Sequence, residues 1–134
     1  MKISSKLENV QRIFLDTAPV IYFIEKNRHY LQKMQAVFKH LDDGSLSGAA
    51  SPVTLSECLV IPFRLGKPEV AQAFIQILSK SDNITFVVIE DRIASQVADL
   101  RAHYNLTLTD AFQVAAALAA GCDAFLTNDG TLNG

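Results

Sequence analysis

Four carboxylic acids stand where apolar segments give way to polar ones. Asp16 follows Ile13-Phe14-Leu15, and Asp129 follows Ala124-Phe125-Leu126-Thr127-Asn128. Glu57 comes soon after Ala49-Ala50-Ser51, early in an apolar helix, and Asp110 opens the helical stretch Ala111–Ala120. Carboxylates gathered at one spot repel, and one is driven toward protonation unless a cation compensates. An oxygen-only donor set suits Mg²⁺ or Mn²⁺.

The four meet only if the elements that carry them are neighbours. In an open parallel sheet, the carboxyl ends of strands and the starts of the following helices face a common crevice. The sequence supplies such elements in alternation. Ile13–Leu15 reads as a short buried strand, and Ala18–Ile24 as a brief helix that tolerates Pro19 in its first turn. From Tyr30, the residues Leu31, Met34, Val37, Phe38 and Leu41 follow helical spacing up to the turn Asp42–Ser45. Ala49–Ser51 is a second short strand, followed by a helix over about Thr54–Leu65, kinked or broken at Pro62. Val70, Phe74, Ile77 and Leu78 form the apolar stripe of the next helix. Ile84–Ile89, β-branched and apolar on both faces, is the clearest strand and predicts a covered parallel one. Ile93, Val97, Leu100 and Tyr104 mark another helix. Leu108–Ala120 is apolar almost all round, predicting a buried helix stopped by Gly121, and Ala124–Thr127 is the last strand. Strands alternating with helices imply an α/β sandwich with a parallel sheet and right-handed crossovers.

Bulk properties narrow the class. A chain of 134 residues, 49% hydrophobic, fits a single domain over residues 1–134 with one sizeable core. A net charge of −2 excludes a basic tail and weighs against sequence-blind nucleic-acid binding, while leaving room for an enzyme with a local basic rim. Cys58 and Cys122 are isolated, with no zinc-type spacing, and read as buried free thiols, which points to a reducing cytoplasm. The longest apolar stretch, Val114–Cys122, is well short of the roughly 18 residues a spanning helix needs, and Met1–Gln11 has no signal-peptide pattern. His29, His40 and His103 carry no metal spacing, and the phenylalanines are spread over core positions instead of forming a base-stacking platform.

Each acid also has an ordinary structural explanation. Asp16 could cap a helix, and Thr107-Leu108-Thr109-Asp110 resembles a capping box. Asn128-Asp129-Gly130 looks like a turn. Glu57 is harder to explain away, because a lone carboxylate in so apolar a stretch needs a partner. Their joint placement at strand ends favours a site.

Four motifs, in order and across essentially the whole chain, resemble the PIN-domain family, in particular the stand-alone PIN ribonucleases that act as toxins of VapBC-type toxin–antitoxin pairs. Phe14-Leu15-Asp16-Thr17, continuing to Val20-Ile21-Tyr22-Phe23, resembles the family's first strand and metal-binding Asp, with Thr17 as its hydroxyl companion. Thr54-Leu55-Ser56-Glu57 resembles its (Ser/Thr)-x-x-Glu element, and Leu108–Leu118 its third-acid helix. Phe125-Leu126-Thr127-Asn128-Asp129 resembles its closing strand and fourth acid, with Leu132 at a position usually bulky or aromatic. Two departures stand out. The family continues past the fourth acid into a fifth strand, whereas this sequence stops at Gly134, so the final edge strand is expected to be missing or cut short. Thr131 stands where many relatives carry an additional acid, so one metal would be held more firmly than a second.

The resemblance implies a three-layer α/β/α sandwich with a short parallel sheet and a metal-dependent endoribonuclease. Asp16, Glu57, Asp110 and Asp129 would hold one or two Mg²⁺ or Mn²⁺ ions, with Thr17, Thr127 and Asn128 as supporting or substrate contacts. Lys26, Arg28, Arg64 and Lys67 are candidates for a rim that meets RNA phosphates. A small antitoxin partner and a homodimer are implied as well. Two rivals differ in class. A Mg²⁺-dependent phosphatase wants a second Asp two residues after the first, where Ala18 stands, and a receiver domain wants an acid on a central strand, where Val87-Val88-Ile89 offers none before Glu90. A degenerate PIN-like domain that only binds protein would not need all four acids.

Overall fold

The computed structural model describes residues 9–26, 31–127 and 130–133. Strand β1 (Arg12–Leu15) leads into α1 (Thr17–Ile24) and α2 (Leu31–Asp42). Then come β2 (Ser47–Ala50), α3 (Pro52–Arg64), α4 (Pro68–Lys80) and β3 (Ile84–Phe86). The chain closes with α5 (Asp91–His103), α6 (Leu108–Ala119), β4 (Ala124–Thr127) and β5 (Gly130–Asn133). The sheet order is β3-β2-β1-β4-β5, with every pairing parallel except β4 with β5.

Alternation along the strands sorts side chains into two cores. Ile13 and Leu15, with Ala124 and Leu126, point to one face and pack beneath α1–α4 through Val20, Val37, Phe38, Cys58, Phe74 and Leu78. Phe14 and Ala49 point to the other face and meet Ile93 and Val97 of α5 and Ala111, Ala115 and Ala116 of α6. The small alanines let α6 lie close to the sheet, and Phe14 stacks on Phe125 with ring centroids 5.1 Å apart. The three-layer sandwich thus follows from the period-two pattern of its central strands.

β4 is fastened to β1 where both begin. The Asp123 carboxylate accepts from the backbone N–H groups of Gln11 and Arg12, both at 3.1 Å, and the Arg12 guanidinium donates to Ala120 O at 2.7 Å. On β2, a Cβ on Gly48 would lie 3.0 Å from Leu41 Cδ2, so glycine lets α2 sit tight on the sheet.

Three expectations are corrected. A fifth strand exists: β5 returns antiparallel along β4, with Phe125 opposite Leu132, so the sheet has its final edge strand. Ile84–Ile89 is not a long covered strand, because only Ile84–Phe86 pair, at the sheet edge. Its neighbour β2 turns into α3 at Ser51, so after Val87 N–H donates to Ala50 O at 2.8 Å no partner backbone continues, and Val88 is left 66% exposed. Pro62 does not break its helix, which runs on to Arg64 with Pro62 buried. It ends in a Schellman turn, Gly66 N–H to Phe63 O and Lys67 N–H to Pro62 O.

Candidate active site

The chain lays down β1, β2 and β3 toward one side and then returns to place β4 on the other side of β1. Such a reversal opens a crevice at the carboxyl ends of the two diverging strands. Asp16 sits there. Its N–H continues the ladder to Leu126 O at 3.2 Å, and its backbone is extended at the N-cap position of α1. Its side chain makes no capping hydrogen bond. The third helical residue is Pro19, which has no N–H, so one of the two usual capping donors is missing. Asp16 Oδ1 accepts instead from Gln113 Nε2 at 3.3 Å.

Glu57 projects from the second turn of α3 and is exposed, while its neighbour Cys58 turns into the core. The partner that Glu57 needs is Thr17, whose Oγ1 donates to Glu57 Oε1 at 2.8 Å. Because Thr17 directly follows Asp16, one hydroxyl ties the first acid's segment to the second acid. Burial pushes the Cys58 thiol up to about 12, and the negative charges of Glu57 and Asp16 add to it.

Asp110 lies in the first turn of α6 and is exposed. Thr107 is the N-cap, its Oγ1 accepting from Asp110 N–H at 3.2 Å, so only the hydroxyl half of the anticipated capping box forms among the described hydrogen bonds. One turn further, Gln113 is almost fully buried. Its Nε2 donates to Thr54 Oγ1 at 2.7 Å as well as to Asp16, and its Oε1 accepts from Ser51 Oγ at 2.8 Å. Thr54 in turn donates to Leu15 O at 3.2 Å. Sequence reasoning assigned no role to Gln113 or Ser51. The available signal was a lone amide in the otherwise apolar run Ala111–Ala120, which burial obliges to find partners.

The fourth acid, Asp129, and its neighbour Asn128 lie outside the described residues, as do Arg28, His29 and the side chain of Thr127. Among the described residues, no three His, Cys, Asp or Glu side chains stand close enough to hold a metal ion. The described ion pair is His103 with Asp99, so no described cationic side chain neutralises Asp16, Glu57 or Asp110. Carboxylate oxygens that have, among the described residues, no counter-charge and no imidazole ligand beside them offer the donor chemistry of a hard divalent cation. His40 and His103 bond locally, to Ser45 and to Asp99 O, on exposed surface. No helix among the described residues is long and apolar enough to cross a membrane.

Among solved structures, the chain is similar to the toxin VapC20 of Mycobacterium tuberculosis, a Sarcin-Ricin loop cleaving toxin, at 16% identity and a TM-score of 0.72 over 88% of this chain and 90% of that one. It is similar to a toxin–antitoxin complex from Klebsiella pneumoniae at 23% identity and a TM-score of 0.65, covering 86% and 84%. VapBC2 from Rickettsia felis, bound to a DNA fragment from its promoter, matches at 17% identity and a TM-score of 0.66, covering 88% of each chain. Among curated proteins, none matches this sequence significantly. The PIN domain family model matches residues 13–133, from the central strand to the last. Matched by that model over most of its length and folded around a 3-2-1-4-5 sheet, the chain belongs to the PIN-domain family.

Proposed function

We propose that this chain is a metal-dependent endoribonuclease, the toxin of a type II toxin–antitoxin pair, folded as a single domain and acting in the cytoplasm. The observation that carries the proposal is Asp16, an acid at the sheet's reversal point that declines to cap its helix and is held from below by a buried amide. Asp16, Glu57, Asp110 and Asp129 would hold one or two Mg²⁺ or Mn²⁺ ions. When bound, such an ion supplies a water of lowered pKa and compensates charge on the scissile phosphate. Thr17 fixes the Glu57 carboxylate, while Thr127 and Asn128 are supporting or substrate contacts. Arg64 lies seven residues beyond Glu57 on α3, about 10 Å along the same helix face, which suits a rim contact to RNA phosphate together with Lys26, Arg28 and Lys67.

Likeness to toxin–antitoxin complexes supports an antitoxin partner. On α3, Leu55, Leu59, Val60 and Phe63 line an apolar groove with Phe86, fit for a partner's amphipathic helix, and exposed helix faces would also serve a homodimer.

The test is cleavage of structured RNA by the purified protein with Mn²⁺ and with EDTA, beside Asp16→Asn and Asp110→Asn. Cleavage should need the metal and vanish in both variants, while the thermal midpoint in EDTA stays level. Products should carry 5′-phosphate and 3′-hydroxyl ends, since no described histidine pair flanks the acids for attack by the 2′-hydroxyl. A 2′,3′-cyclic phosphate would refute the proposal. A protein that takes up no Mn²⁺ would instead be a PIN-like binding module.

A further inference from the structure

The geometry assigns Gln113 a positioning role: its buried amide ties together the three elements that bear Asp16, Glu57 and Asp110 and sets the orientation of the Asp16 carboxylate. The assignment rests on the proposed metal-dependent activity. Gln113 lies one turn after Asp110 on α6. Ser51 and Thr54, which it bonds, form the head of α3, and Glu57 lies one turn beyond Thr54. Its third bond reaches Asp16 at the end of β1. One side chain therefore spans all three.

The direction of its amide is dictated by its surroundings. Ser51 Oγ accepts from Val53 N–H and Thr54 N–H as the cap of α3, so its own hydrogen must be donated, and it goes to Gln113 Oε1. Thr54 gives its hydrogen to Leu15 O, which leaves its lone pairs free for Gln113 Nε2. The second hydrogen of Nε2 is then aimed at Asp16 Oδ1. A flipped amide would set oxygen against carboxylate. Packing alone does not call for glutamine here, because Ala111, Ala115, Ala116 and Ala117 around it are apolar and a buried amide costs stability unless fully bonded. The donor holds one Asp16 oxygen and leaves the other unclaimed among the described hydrogen bonds.

Groups that orient a metal ligand from behind change metal affinity or activity by about 10- to 100-fold when removed. Gln113→Met keeps length and bulk but removes the donors. At a temperature well below its thermal midpoint, with circular dichroism showing a folded protein, its Kd for Mn²⁺ by titration calorimetry should rise about tenfold or more. At saturating Mn²⁺, kcat on RNA should fall while KM for RNA stays unchanged, and excess Mn²⁺ should recover part of the rate seen at low Mn²⁺. Ser51→Gly keeps a tolerated helix-cap residue, releases Gln113 Oε1 together with the N–H groups of Val53 and Thr54, and leaves both Gln113 donors in place, so its Mn²⁺ affinity should fall in the same direction by a smaller factor. Wild-type Kd and kcat in folded Gln113→Met overturn the role. Should that variant fail to fold, wild-type values in Ser51→Gly overturn it. If the unaltered protein binds no Mn²⁺, the proposed function falls, and this role with it.

Discussion

Thr17 gives its hydroxyl hydrogen to Glu57 Oε1 across 40 residues of sequence, at an exposed position where one hydrogen bond adds little to stability. Its value lies in aim. Thr17→Val should lower kcat on RNA by about tenfold, as loss of a ligand-orienting group does, and shift stability by no more than about 1 kcal/mol. Thr17→Ser should restore the rate, and parallel kinetics and urea melts check both. Cys122 has a different consequence. Burial pushes its thiol up to about 11 from an ordinary value of 9.0, although the Arg12 charge pulls the other way. Below pH 9 both folded and unfolded chains keep the proton. Between pH 9 and 11 the unfolded chain releases it first, so this group's contribution to stability falls as pH rises across that window. Cys122→Ser should flatten the slope of unfolding free energy against pH across that window, and an unchanged slope would remove Cys122 as its source.

Helix ends show how local chemistry is distributed. Gly121 follows α6 with a positive φ, its N–H donating to Leu118 O while Cys122 N–H reaches Ala117 O, and Gly66 closes α3 the same way. After α1 the corresponding residue is Lys26, with φ of 55°. A side chain in that conformation costs about 1 kcal/mol, so Lys26→Gly should raise the urea midpoint, and if Lys26 belongs to the RNA rim it should weaken RNA binding as well. The strand–helix alternation and the placement of Asp16 and Asp110 at element ends and of Glu57 early in α3 were legible in the sequence, because periodicity and turn residues are local signals. The helix expected to be buried over Leu108–Ala120 is buried only on the face of Ala111, Gln113 and Ala115–Ala117, with Leu108 and Leu118 exposed. What was not legible depended on neighbours. Ile84–Ile89 has strong strand composition, yet its pairing stops where β2 stops. Pro62 reads as a breaker, yet the tertiary setting of α3 keeps the helix going. The β5 hairpin involves too few residues to announce itself. Gln113 was hidden because a helix pattern shows that a polar residue is buried but not which hydroxyls, 62 and 59 positions away, will receive it.

At the scale of the molecule, net charge is only −2, so the acids' local field matters more than any global one. An antitoxin that inserts an Arg or Lys toward Asp16, Glu57, Asp110 and Asp129 would compete for the place proposed for the metal. Raising Mn²⁺ should then weaken partner binding measured by titration, and neutralising two of the acids should weaken it too; an affinity indifferent to both would place the partner elsewhere. The sheet order carries one more consequence. β1 is made first, and its flank on the β4 side is filled only when Ala124–Leu126 pair with Ile13–Leu15, fastened below by Asp123 and above by Asp16 N–H on Leu126 O. Chains emerge from the ribosome N-terminus first. The nascent protein therefore carries Asp16 and Glu57 well before it has the strand that fills this flank of β1. Whatever chemistry this reversal point performs is withheld until β4 has been made and has paired with β1.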